Sequence, residues 1–160
     1  MKIPLVFVAA IVMLPILQAQ EAPGYMGLRI GMSREAAVAR ALEIKPTAKV
    51  DQDMLTFTAP DGEEIVAKIG TWEGKEIVYV VYVRMRHKDG FDALSSALAS
   101  KYGTVQFQGP GQESRSWEKD GVDIRLVNGY GVKPESILFV HTAYNRAASK
   151  AKMEAQKSKL

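Results

Sequence analysis

The chain has 160 residues, a net charge of +3 and no cysteine, which excludes a disulfide scaffold, a Cys-ligated metal, a thiol nucleophile and a lipid-modified cysteine. The positive charge is local: Asn145 to Leu160 carries Arg146, Lys150, Lys152, Lys157 and Lys159 against Glu154, a net +4, while Glu21 to Tyr144 sums to −2. A basic tail on a near-neutral body excludes a nucleic-acid-binding domain, whose cations sit on folded faces.

The first element is a leader. Lys2 is followed by Ile3 to Leu17 without a charge, and then by the polar, helix-breaking Gln18-Ala19-Gln20-Glu21-Ala22-Pro23. This is the layout of a secretory signal peptide over residues 1–20, with Ala19 as the small residue before the cut. The apolar run is shorter than the roughly 17–25 residues a membrane-spanning helix needs. The expectation is a bacterial protein exported to the periplasm or medium, soluble and without a lipid anchor. The remaining chain of about 140 residues suits one domain or two small units sharing a core.

After a lead-in over residues 21–30, Ser33 to Leu42 predicts a helix, with alanine-rich content, Ser33 as N-cap and Pro46 closing the segment. Three strands follow. Met54 to Thr58 and Glu64 to Ile69 alternate, and Glu76 to Met85 is rich in β-branched and aromatic residues. Asp61-Gly62 predicts a hairpin turn, and Gly70 to Lys75 a longer connection. Apolar residues on both faces of Ile77 to Val83 predict a central or doubly covered strand.

The pattern then begins again. Phe91, Leu94, Leu98 and Tyr102 form one helical stripe ending at Gly103, and Ser114 to Glu118, Val122 to Val127 and Glu135 to Tyr144 predict three strands. Asp120-Gly121, Gly129 and Glu135 each stand 59 positions after Asp61-Gly62, Gly70 and Glu76. The expected fold is α+β: two tandem helix-plus-three-strand units, residues 31–86 and 87–144, forming an antiparallel sheet with helices packed on one face. Ile65, Ala67, Ile69, Val122, Ile124 and Leu126 are its inward positions. Tyr144 to Lys159, within the basic tail of residues 145–160, is helix-permissive with a thin apolar stripe, which predicts a frayed helix.

The segment Gly27-Leu28-Arg29-Ile30-Gly31-Met32-Ser33-Arg34-Glu35 resembles the strand-Gly-Met-Ser/Thr-helix opening of small bacterial envelope domains. The small-lipoprotein family of the outer-membrane β-barrel assembly machinery has this opening, and repeated helix-plus-sheet units are similar to the β-lactamase-inhibitory-protein fold. The chain departs from the first family in lacking the lipid-attachment cysteine and in ending its first helix with Leu42-Glu43-Ile44-Lys45-Pro46 in place of Leu-Gly-x-Pro. The resemblance implies a non-enzymatic binding or assembly role in the envelope and identifies no partner.

No catalytic constellation, metal site or cofactor is predicted. Gly31-Met32-Ser33-Arg34-Glu35 lacks the second glycine of a nucleophile elbow, so Ser33 reads as a helix cap. His87 sits among charged residues and His141 inside a strand, neither with a second ligand at metal spacing. Asp51-Gln52-Asp53 is not followed by the glycine and glutamate of a calcium loop. Gly109-Pro110-Gly111 lacks the lysine and helix of a phosphate loop.

The candidate binding residues are Trp72, Tyr79, Tyr82, Arg84, Arg86 and Tyr130, with Tyr82, Arg84 and Arg86 on one strand face by the period of two. Trp117 reads as a core plug. The function expected is that of a non-catalytic module binding an envelope or extracellular protein through its sheet face and loops, with weak contact of the tail to an anionic surface. The alternatives are an inhibitor of a secreted enzyme and a cryptic hydrolase using Asp, Glu and His141.

Overall fold

The computed structural model describes residues 21–86, 90–109, 114–129 and 134–157. The leader of residues 1–20, His87, Gly111 and Tyr130 lie outside the described residues. In chain order the elements are β1 (Gly24–Tyr25), β2 (Leu28–Arg29), α1 (Arg34–Ile44), β3 (Lys49–Val50), β4 (Met54–Thr58), β5 (Glu64–Trp72), β6 (Lys75–Arg84), α2 (Phe91–Tyr102), β7 (Phe107–Gln108), β8 (Ser114–Lys119), β9 (Val122–Val127), β10 (Ser136–His141) and α3 (Thr142–Lys157). Among these residues no helix is long and apolar enough to cross a membrane.

The architecture corrects the expected one. In place of two helix-plus-three-strand units there is one continuous eight-stranded antiparallel sheet in the order β3-β4-β5-β6-β10-β9-β8-β7, a separate β1-β2 ribbon and three helices among the described residues. The backbone pairing of β6 with β10, from Ser136↔Arg84 to Val140↔Val80, fuses what the sequence divides. Strands β3 and β7 add a short edge strand on each side, and two residues are too few to show a period. The lead-in and the tail also acquire structure, as the β1-β2 ribbon and α3. The helices do not share a face either, as described below for α3.

Alternation sorts the sheet into two faces. On the inner face Leu55, Phe57, Ile65, Ala67, Val81, Val83, Phe139, Ile124, Leu126 and Trp117 are buried in one cluster with Ala37 and Ala41 of α1 and Leu98 of α2. Small alanines let α1 lie close to the sheet, and Tyr102 of α2 meets Phe139 edge-on at 6.3 Å. The inward residues of the two middle strands and Trp117 are where the alternation places them, and β6 is central as its doubly apolar sequence requires.

Local signals explain the ends of the elements. The Ser33 hydroxyl accepts from the Ala36 N–H at 3.3 Å, capping α1, and α2 stops at Gly103 with φ of 92°. Asp120-Gly121 (φ 51° and 74°) joins β8 to β9 by a two-residue turn of mirror-image hand. Glu73-Gly74 (φ 50° and 77°) does the same between β5 and β6, so the connection read as long from Gly70 is mostly strand. One extra residue, Tyr79, enters β6 between the pairs Lys68↔Val80 and Ile69↔Val78, a β-bulge. The turn from β3 to β4 is tied to the start of α1 by Arg34, whose guanidinium donates to the carbonyls of Gln52 and Asp51.

Candidate binding face

The outer face of the sheet is built from the residues between the core positions. Register places Thr56, Val66, Tyr82, Leu138, Arg125 and Ser116 side by side across six strands, β4 to β8 in spatial order. Val66, Tyr82 and Leu138 at the centre of this row are half-buried, as is Val80 beside them. No residue of α1 or α2 belongs to this face, because both helices pack into the inner cluster.

Polar groups frame the apolar centre. Tyr82 Oη and Ser136 Oγ lie 2.9 Å apart, fixing the ring across the β6–β10 seam. Arg84 Nη1 donates to Glu64 Oε2 at 3.3 Å from the directly opposed position on β5. Arg125 Nε donates to Asp123 Oδ2 at 2.8 Å, two residues along the same strand. That hydrogen bond raises the pKa of Arg125 above its ordinary value against the desolvation that lowers it. Both arginines therefore carry a carboxylate partner and present matched rather than bare charge.

At one end of the face lies an aromatic clamp. Tyr144, in the first turn of α3, stacks on Tyr79 with centroids 4.2 Å apart and rings inclined by 22°. Trp72 tilts against Tyr144 at 5.9 Å and against His141 at 5.6 Å. Gly70 makes room for this: a Cβ there would overlap Tyr144 Oη and come within 2.9 Å of its Cζ. Gly70 and Trp72 alternate with the core residues Ala67 and Ile69 on β5, so the clamp, and with it the start of α3, is on the outer face. His141 Nδ1 accepts the Tyr144 N–H at 3.3 Å, capping α3 and leaving that nitrogen engaged.

A cleft of about 400 Å³ separates α3 from the outer strands, lined by Phe107, Ser116, Glu118, Arg125, Asn145 and Arg146 among others. Phe107 stands at its lip, 59% exposed. The cleft is polar and open, and among the described residues no group of three or more His, Asp or Glu is arranged to hold a metal.

The six residues singled out in the sequence thus separate. Tyr82 and Arg84 share the open face, as the period of two requires. Arg86 lies past the end of β6, its side chain against the turn at Gly62, where a Cβ would stand 3.0 Å from Arg86 Nε. Trp72 and Tyr79 meet in the clamp, and Tyr130 is outside the described residues. Sequence reasoning missed Val66, Leu138 and Arg125, although alternation in β5, β9 and β10 carries the signal. It also missed Tyr144, which reads as the end of a strand. No family model, curated protein or solved structure matches this chain.

Proposed function

We propose that this protein is a non-catalytic exported module that binds or assembles with an envelope or extracellular protein through the outer face of its sheet. One observation carries the reading: a broad antiparallel face with a half-buried apolar centre, Val66, Val80, Tyr82 and Leu138, is left uncovered by α1 and α2. Contiguous apolar surface framed by polar residues is the composition of a protein-binding patch. The ion pairs Arg84–Glu64 and Arg125–Asp123 at its margins supply register without a large net charge. Export rests on the leader of residues 1–20, and the envelope setting also on the strand-Gly-Met-Ser-helix opening at Leu28 to Arg34.

Site-resolved crosslinking tests this. A photo-reactive side chain at Leu138 captures a protein partner in the envelope, and one at Ser96, on the solvent side of α2, does not. The combined change Tyr82→Ala and Arg84→Ala abolishes capture from Leu138 while thermal unfolding stays cooperative. Equal products from both sites, or capture indifferent to the double change in a folded protein, defeats the proposal. A captured hydrolase that loses activity on binding makes the module an inhibitor.

A further inference from the structure

Helix α3 has sixteen residues, and none of them is buried. Only Thr142 and Tyr144 are even half-covered; from Asn145 to Lys157 every residue is exposed. The helix is nonetheless mounted firmly at its start, by the Tyr144–Tyr79 stack, the Trp72 contact and the His141 cap. Beyond that mount it carries Arg146, Lys150, Lys152 and Lys157 against the single carboxylate of Glu154. Isolated helices of this length are marginal, and helical stability in proteins usually comes from packing an apolar stripe. Here the body offers no such packing.

The spacing orders these charges. At 3.6 residues per turn, Arg146, Lys150, Met153 and Lys157 fall four, three and four residues apart and form one stripe. Tyr144, Ala147, Ala148, Ala151 and Ala155 form the other side. Because Tyr144 is the residue held against the sheet, the cationic stripe is on the side of the helix turned away from the clamp; it starts at Arg146 on the lip of the cleft beside β8 and β9 and continues past the body through Lys150, Met153 and Lys157. Met153, 56% exposed, sits in the middle of the cations. Lys150 lies 4.0 Å from Glu154, an exposed contact at the limit of an ion pair. Arg146, Lys152 and Lys157 have no ion-pair partner among the described residues.

We infer that α3 is a surface-docking helix whose occupant is an anionic phospholipid bilayer. Charge complementarity makes the commitment. A row of cations on flexible stems, with one soft apolar side chain between them, matches a headgroup layer: lysine and arginine heads meet phosphates, and Met153 reaches toward the acyl boundary. The near-neutral body contributes no comparable attraction, so the helix sets the orientation of the protein on the surface. The alanine side, with Lys152 at its edge next to Ala148 and Ala155 and with little apolar area, faces back toward the clamp at its start. This inference is independent of the partner-binding role assigned to the sheet face.

Vesicle co-sedimentation of the whole protein tests it. Binding is expected to phosphatidylcholine vesicles containing about 30% phosphatidylglycerol in about 20 mM salt, and is lost in about 300 mM salt, where the Debye length shortens to about 6 Å. Pure phosphatidylcholine vesicles are not bound. The triple change Arg146→Gln, Lys150→Gln and Lys157→Gln keeps helix propensity, and it lowers the partition coefficient about fivefold for each cation, about 100-fold in all. The triple change Lys45→Gln, Lys49→Gln and Lys119→Gln removes the same charge from the body and leaves binding within about threefold. Tyr82→Ala with Arg84→Ala also leaves it unchanged, which separates this inference from the sheet-face role. Absence of binding to anionic vesicles at low salt, or equal losses from the two triple variants, overturns it.

Discussion

The mount of α3 rests on a fit that a single methyl group disrupts. Gly70 has ordinary strand backbone, with no positive φ, so Gly70→Ala costs nothing in conformation and gains in backbone entropy. The added Cβ instead overlaps Tyr144 Oη and approaches Tyr79 Cδ1 at 3.1 Å, so Tyr144 must leave the sheet. Two aromatic contacts are then lost, each contributing about 0.5–1.5 kcal/mol beyond area burial. Re-exposure of a half-buried tyrosine adds about 1 kcal/mol, so the docking of α3 weakens by about 2–4 kcal/mol. Since no described residue of α3 is buried and its remaining ties, the His141 cap and the Thr142 N–H to Gly121 carbonyl bond, are at its first turn, this loss is local. Hydrogen exchange of the amides of Ala147 to Lys150 accelerates at least about 30-fold in Gly70→Ala, while the amides of β6 and β10 change little. Tyr144→Ala gives the same acceleration, and the double variant is no worse than either single one, because both remove the same contact. Unchanged exchange in Gly70→Ala, or additive effects in the double variant, refutes the clamp as the mount of α3.

Other consequences follow from single side chains. Glu135 is fully buried and neither carboxylate oxygen has a hydrogen-bond partner among the described residues, so Glu135→Leu should raise stability by about 1–3 kcal/mol, read as a higher denaturation midpoint; a clear loss would contradict this. Ser33→Ala removes the α1 cap and costs about 1 kcal/mol by chemical denaturation, with Ser33→Asp restoring most of it. Trp117 is 1% exposed, so Trp117→Ala costs about 3–5 kcal/mol. Its Nε1 has no partner among the described residues, so Trp117→Phe sacrifices packing alone and costs about 1–2 kcal/mol; equal losses from both variants would show that the indole nitrogen is engaged.

How much of this the sequence discloses depends on the length and regularity of each element. The stripe Phe91, Leu94, Leu98, Tyr102 with Gly103 fixes α2 at its observed bounds, and the alternation of Ile65, Ala67 and Ile69 fixes the buried face of β5. Three features defeat the same reasoning. Gly70 reads as a strand breaker, whereas it is a strand residue kept small by the ring of Tyr144. Tyr79 is an inserted bulge residue, so it joins Val80 on one face and no period of two can place it. Thr142-Ala143-Tyr144 prolongs the β-rich pattern of β10, and the helix that replaces it is capped by a histidine, outside the usual N-cap residues. The candidate face suffered accordingly. Tyr82 and Arg84 are correctly paired by alternation, but their neighbours across the seam, Leu138 and Ser136, depend on the β6–β10 register, which only long-range pairing reveals.

The division of the predicted aromatic set has a functional consequence. Trp72 and Tyr79 hold α3 through Tyr144, and Tyr82 is tied to Ser136 under the open face, so one strand, β6, supports both the helix mount and the partner surface. The bulge at Tyr79 makes this possible. Without the extra residue the side chains before and after it would keep strict alternation, and Tyr79 would be turned toward the core cluster of Val78 and Val81. With it, Tyr79 and Val80 both reach the outer face, one to stack under α3 and the other to extend the apolar centre. A cationic helix mounted beside the partner face fixes how that face is presented when α3 lies on an anionic surface. Deleting the bulge residue would therefore impair vesicle binding and capture from Leu138 together, whereas changes in Arg146, Lys150 and Lys157, or in Tyr82 and Arg84, affect one and spare the other.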